Sequence, residues 1–582
     1  MSLIQRNISI PNKSNLANKR SLRNILDSFS SKQLFIFISL FVVLLVSALS
    51  ILQKINKNFL VYLPEDGGTL TEGILGTPRF INPILAISDT DKDLSALIYS
   101  GLMKKNTDGT LVPNLAESYE VSPDGLTYSF KLKKDIKFQD KTSLTVDDVI
   151  FTVNSIKDPT IKSPLDAIWQ GVSVSADEND SSVVIFKLSA PYASFLESTT
   201  LGIIPKHIWN QLQPEEFNLS KSNLNAIGSG PYKIKTIKQN KEGLVEEIKL
   251  TKWSTYSLEQ PFIKKLNFIF YKSEVDLIKA YRKGNVDQIS SISPKNADAL
   301  TKEGYQPTTA VLSRVFGLFF NPNHNDIFRD KNVVKAIDLS IDKEQVVNDV
   351  LFGFGKAIDS PIPTSLSNED YPILNNQDDN IKKAKDILES DGWKLNENTG
   401  IREKSGKPLQ FSISTADVAE LRNATEIMKA NLAKVGIDVS IQVFETGMLN
   451  QTIIRPRDYE ALFFGQIIRN DPDLFAFWHS SQRNDPGLNI SLYTNTKVDK
   501  LLEELISSTD PNVRLSKLKA IQDQITSDMP AVFVYSPEFI YMEGDKINDV
   551  KLNHITSASE RFLGINNWYI RTDAVWKAFV KN

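Results

Sequence analysis

The sequence predicts an α/β protein held behind a single membrane-spanning helix, and three observations predict it. Strand-like and helix-like patterns alternate along residues 69–537, with no long all-α or all-β block, which is the order that builds mixed α/β layers. The 582 residues are 41% hydrophobic and 24% charged, the composition of a globular chain with ample material for a core. Residues 34–52, LFIFISLFVVLLVSALSIL, carry no charge and are long enough to span a bilayer.

Residues 1–33 are polar and read as a disordered cytoplasmic tail. They hold Arg6, Lys13, Lys19, Arg20, Arg23 and Lys32 against Asp27 alone. The positive-inside rule therefore puts the N-terminus in the cytoplasm, residues 34–52 through the membrane as an anchor, and the rest outside. The competing reading is a cleaved signal peptide. The apolar run exceeds the about 7–15 residues usual there, and residues 47–50 offer a poor cleavage site. Residues 53–63 read as a stalk. The whole chain is −3 and the tail is +5, so the remainder is −8, which gives no support for nucleic-acid binding. With no cysteine, disulfides, thiol catalysis, Cys-ligated metals and an acylated-cysteine anchor are excluded.

Residues 69–77 then read as a strand, 78–89 as a loop and 91–99 as a short helix. Asn106-Thr107-Asp108-Gly109 has hairpin-turn chemistry. Ser122-Pro123-Asp124-Gly125 is a second turn, with Pro presetting φ and Gly free to take positive φ. Residues 127–133 alternate, Tyr128, Phe130 and Leu132 facing one way, as in a half-buried strand. Thr145 and Asp148 are spaced as a capping box opening a helix to about 156, which Asp158-Pro159 ends. A strand follows at 181–188, then short helices at 193–201 and 205–212. Gly228-Ser229-Gly230-Pro231-Tyr232 is a tight turn into a strand and lacks the third glycine of a dinucleotide loop. Further strands read at 262–271, 285–289, 311–320, 437–444, 459–465 and 529–537. Helices read at 273–282, 331–352, 381–390, 417–435, 495–509 and 512–527.

The wording of residues 111–159 is more specific than its periodicity. Pro113, Leu115, Ala116, Glu117, Ser118, Tyr119, Asp124, Gly125, Phe130, Leu132, Phe138, Asp140, Thr145, Asp148 and Val149 fall at the spacing of one motif. It resembles the signature of the family 5 solute-binding proteins of ABC importers, the peptide, dipeptide and nickel-type binders. The Gly that usually follows the Asp140 position is Lys141, so that turn is expected to be built differently. The turn at Gly228, the G-x-V-D at 284–287, the 333–342 segment and Pro361-Ile362-Pro363 match further family phrases, so the resemblance covers about 67–568. It implies a two-lobed periplasmic-binding-protein fold of type II. Lobe I would combine 64–80, 198–312 and 530–575; an extra domain, 81–197, would sit on it; lobe II would be 313–529. Crossings near 312 and 530 would form the hinge.

Catalytic chemistry finds no support. The four histidines show no H-E-x-x-H or i, i+4 spacing, and there is no G-x-S-x-G or Walker motif. No cofactor or metal is expected; His479 reads as a structural histidine and Asp471/Asp473 as a solvated turn. The resemblance places the ligand between the lobes, at Ile87, Ser88 and Asp89, at Leu165, at the loop with Gly465, Gln466, Ile468, Arg469 and Asp471, and at Tyr535. Peptide binders of the family hold the ligand's ammonium with an acid at the position of Ile468 or Arg469, so free α-amino recognition is not expected and Arg469, if it faces the cleft, suits a carboxylate; the alternative is that Arg469 points to solvent and Asp471 reaches the ammonium after a loop shift. The implied function is capture of an oligopeptide-like solute for an ABC permease and its ATPase by a monomeric ectodomain. The rivals are a binder of an oligosaccharide or metal chelate, a sensor or interaction protein on the same fold, and a hydrolase.

Overall fold

The computed structural model describes residues 29–577 apart from 193, 257, 364–365, 367–375, 469–473, 509 and 554, and backbone alone at 55–58 and 511. The chain divides into two units, 1–65 with 572–582, and 66–571. In the first, the apolar run is one helix, Ser31–Phe59, whose large apolar side chains from Phe35 to Leu52 are all exposed. Its first 24 residues are apolar enough to cross a membrane. The expected stalk is instead the end of this helix and a strand, Leu60–Glu65, whose backbone pairs with Arg571–Trp576.

The second unit is built on a twelve-stranded sheet. Its main path runs Asp438–Phe444, Gln410–Ala416, Ala461–Ile467, Arg314–Phe320, Ala531–Glu543, Gln288–Ser290, Gly67–Leu75, Ile263–Tyr271, Val245–Lys252, Tyr232–Gln239. One strand, Ala531–Glu543, joins the two lobes. It is buried along nearly its whole length and accordingly reads as an almost unbroken apolar run. Its first part pairs with Arg314–Phe320, from Phe319↔Ala531 to Phe316↔Tyr535. Its second part pairs with Pro307–Val311 and Gln288–Ser290, starting at Val311↔Glu538. The partner changes around Pro537, which has no N–H to give to a ladder. The apolar cores divide at the same places: Val315 and Tyr535 belong to the lobe II core, Leu312 and Phe539 to the lobe I core. The division between the two cores thus falls at 313–314 and again at 536–538. Ala531, Phe533 and Tyr535 share the apolar core of Val315.

The signature stretch supplies the first two strands of a four-stranded antiparallel sheet in the order Ala116–Val121, Thr127–Leu132, Val183–Leu188, Val172–Ala176. Tyr128, Phe130 and Leu132 are buried, as the alternation requires. The helix Val146–Lys157 opens with the capping box: the Asp148 carboxylate accepts the Thr145 N–H at 2.8 Å. Its other oxygen accepts the Lys206 N–H at 2.9 Å, which ties this helix to the returning chain. Lys141 adopts φ +78° itself, so the turn keeps the glycine-like conformation without the glycine.

The long helix expected at 331–352 is two helices, Lys331–Ser340 and Lys343–Val350. Asp342 breaks it, because its side chain accepts the Gln345 N–H at 2.9 Å and caps the second helix. The apolar spacing continues through the break since both helices bury one face in the same core. In lobe I, Arg561 is fully buried and bridges two carboxylates. It reaches Glu72 at 2.7 and 3.0 Å and Asp93 at 2.6 and 2.7 Å. Gln288 also donates to Glu72, at 2.9 Å. One side chain thereby joins Gly67–Leu75, the helix Asp89–Ile98 and the segment Ala558–Gly564.

Candidate functional site

The strand Ala461–Ile467 sits inside the sheet between Gln410–Ala416 and Arg314–Phe320, and its C-terminal end opens onto a cavity of about 1190 Å³. Three parts of the chain wall it. Ile168, Gly171 and Tyr192 come from 167–192; Gly465, Ile467 and Phe477 come from 446–490; the third part is Thr556. Among the described residues, no Asp, Glu, Lys or Arg lines it. The wall is largely apolar, and Ile467 and Leu488 remain about half exposed, at 53% and 49%. Apolar side chains left open to a concave space gain by covering them with a ligand.

Two features of the wall follow from the sheet. A Cβ on Gly465 would stand 2.6 Å from the Phe316 ring, so glycine is what lets that ring lie across the strand. Phe316 then stacks on Tyr535 with centroids 4.9 Å apart. Gln466 is 4% exposed, and its Oε1 has no hydrogen-bond partner among the described residues. A buried amide oxygen without a donor costs roughly 1–3 kcal/mol, which a ligand N–H at this wall would relieve.

Of the residues expected to bind, Gly465 and Gln466 line the cavity. Ile468 does not: it is fully buried in the lobe II core. Its N–H donates to the Ser313 carbonyl at 2.8 Å, so the chain leaves the strand there and the side chain turns inward. Tyr535 is 1% exposed and packs against Phe316 and Phe463 in the same core, and burial pushes its hydroxyl well above the usual tyrosine range. Leu165 is half-buried on the lobe I core; Ala167 and Ile168, two and three residues on, line the cavity instead. Ile87, Ser88 and Asp89 are exposed and stand outside the lining. Ser88 caps the helix Asp89–Ile98 by accepting the Asp91 N–H at 3.1 Å. Arg469 and Asp471 lie outside the described residues. Ile168, Tyr192, Phe477 and Leu488 had no signal in the sequence beyond being apolar or aromatic.

Arg314, the first residue of the strand Arg314–Phe320, does not line the cavity. It stands directly opposite Ile467, and directly opposed residues share a face. Its Nε is buried without an acceptor, and the guanidinium has no hydrogen bond or ion pair among the described residues. Burial lowers its pKa, and the Asp89 charge partly offsets this.

A smaller cavity of about 600 Å³ lies within lobe II. Its Lys343 is bound by Asp338 at 2.9 Å and by Asp359, so these charges satisfy one another. His479 stacks on Phe475 at 4.1 Å and its Nδ1 contacts the Ser481 hydroxyl at 2.8 Å. Among the described residues no cluster of three or more His, Cys, Asp or Glu is placed to hold a metal.

Comparison with known proteins agrees with this architecture. Residues 110–487 match the family described as bacterial extracellular solute-binding proteins, family 5 Middle. The chain is 31% identical over 492 residues to the oligopeptide-binding protein AppA of Bacillus subtilis, covering 81% of this chain and 87% of that one. The structure of AppA in complex with a nonapeptide superposes with a TM-score of 0.66 at 26% identity, over 87% of this chain and 100% of that one. DppA from Helicobacter pylori in complex with the peptide STSA shares the fold, with a TM-score of 0.66 at 23% identity over 87% and 99%.

Proposed function

We propose that this chain, which belongs to the bacterial extracellular solute-binding proteins of family 5, captures oligopeptide-like solutes and hands them to an ABC importer. The observation that carries the reading is the cavity of about 1190 Å³ between three parts of the chain, with no charged lining side chain among the described residues. Such a wall recognises a main chain and apolar side chains rather than one fixed charge pattern. Gln466 Oε1 suits a ligand N–H, and Ile467, Phe477 and Leu488 suit apolar side chains. That the relative AppA holds a nonapeptide supports the size class.

The lobe division belongs to the same proposal: 64–80, 198–312 and the later part of the shared strand onward as lobe I, 81–197 as the extra domain, and 313 to the earlier part of that strand as lobe II. Closing the lobes about the crossings at 313–314 and 536–538 would bury the ligand and give the permease a distinct form to recognise. The helix Ser31–Phe59 serves as a single-pass anchor with a cytoplasmic N-terminus, supported by its exposed apolar surface and the basic segment before it.

Mass spectrometry of the small molecules released from purified full-length protein tests the reading. Peptides are the expected content. Recovery of sugars or metal chelates, with no binding of STSA by calorimetry, would move the assignment to another solute.

A further inference from the structure

We propose that Phe59 and Trp576 form a clasp on the membrane surface: the ribbon of Leu60–Glu65 and Arg571–Trp576 binds the lipid headgroup layer at the outer end of the membrane helix. The inference rests on the reading of Ser31–Phe59 as an anchor. Three observations carry it. The two strands pair with each other although they are far apart in the sequence. The ring of Phe59, the last residue of the helix, stacks on that of Trp576, the last residue of its strand, with centroids 6.4 Å apart and planes 25° from parallel. Both rings nevertheless stay about half exposed, at 52% and 49%, and Tyr62 in the first strand is 62% exposed.

The helix sets the depth of the rings. The uncharged run ends at Leu52 and Phe59 follows seven residues later, which at about 1.5 Å per residue is about 10 Å beyond the hydrocarbon edge. The headgroup layer adds about 5–7 Å to each side of the hydrocarbon. Helical side chains lean toward the helix N-terminus, here toward the bilayer, so a ring at position 59 falls at the outer margin of that layer. Tyrosine and tryptophan are favoured there because one end of the side chain is apolar and the other can stay wet. Lys54 and Lys57 precede Phe59 and Lys577 follows Trp576, which suits the lipid phosphates. The exposed acids of the ribbon, Glu65 and Asp573, stand further along the strands. A two-stranded ribbon is marginal in water, and covering its aromatic rings with lipid supplies the apolar burial it lacks. Each strand continues into the second unit, one at Asp66 and the other at Arg571, so that unit is tied to the bilayer through two chain segments instead of one.

The test uses full-length protein in nanodiscs of phosphatidylcholine and phosphatidylglycerol, with and without lipid brominated near the ester end of the acyl chain. Of the seven tryptophans Trp576 is exposed and the other six are buried, so subtracting the spectrum of Trp576→Phe isolates its emission. Brominated lipid is expected to remove at least about half of that emission, and aqueous iodide to remove little of it. Phe59→Ala takes away the ring that seats Trp576 and is expected to weaken the lipid quenching at least about twofold. Retention of the full-length protein in vesicles of the same lipids through an alkaline carbonate wash tests the anchor separately. Protein that survives the wash, with a Trp576 emission quenched by iodide and not by brominated lipid, overturns the clasp and leaves the anchor standing. Lipid quenching undiminished in Phe59→Ala overturns the pairing of the two rings. Protein released by the wash overturns the anchor and the clasp together.

Discussion

Replacing Arg561 by Met measures how far lobe I depends on one buried guanidinium. Methionine retains much of the apolar contact with Phe562, whose ring lies 4.0 Å from the guanidinium carbon, but removes the charge. Glu72 and Asp93 are then left in apolar surroundings, where each takes up a proton rather than remain ionised. Holding a proton costs about 1.36 kcal/mol for each pH unit above the ordinary value. From ordinary values of 4.5 for Glu72 and 3.8 for Asp93, that is about 3.4 and about 4.4 kcal/mol at pH 7. In the native cluster burial already pushes both carboxyls up, with Arg561 pulling them back. The folded chain therefore binds more protons than the unfolded one. The stabilisation is complete below the ordinary values and declines as pH rises through the folded ones. If the native pair already shares one proton, the variant takes up one more; otherwise it takes up two. Arg561→Met should thus lose about 3–8 kcal/mol at pH 7, and about 1.4–2.7 kcal/mol less for each pH unit lower. Urea unfolding at pH 5, 6 and 7, followed by tryptophan fluorescence, reads this directly. A loss under about 1 kcal/mol, or one that does not change with pH, would refute the account.

Gly465→Leu puts side-chain atoms where the Phe316 ring now lies. It should cost about 1–3 kcal/mol of stability by thermal unfolding and weaken STSA binding at least about tenfold, because the added volume also enters the cavity. Asp148→Ala removes both the capping contact with Thr145 and the tie to Lys206, and should lower stability by about 1–3 kcal/mol with ligand affinity unchanged once folded, as calorimetry can check. Protease added to spheroplasts should digest residues beyond the membrane helix while mature protein keeps residues 1–52; N-terminal sequencing that starts near residue 49 would show a cleaved signal instead.

The sequence by itself determined what depends on neighbours along the chain. Alternation at 127–132, the Thr145/Asp148 cap and the turn glycines are local, since backbone sterics and near-neighbour hydrogen bonds decide them. The uncharged run at 34–52 is equally local, and the spaced signature carried the family with it. Where local signals competed, the reading erred: at Asp342 an uninterrupted apolar period concealed a cap. Only the tertiary structure decided which residues meet. It made Ala531–Glu543 a strand shared by both lobes, with the change of partner around Pro537. Ile467 and Ile468 are chemically the same residue, and only the end of the strand sends one to the cavity and the other into the core. That choice is fixed by contacts between segments far apart in the chain, such as the Ile468 N–H on the Ser313 carbonyl.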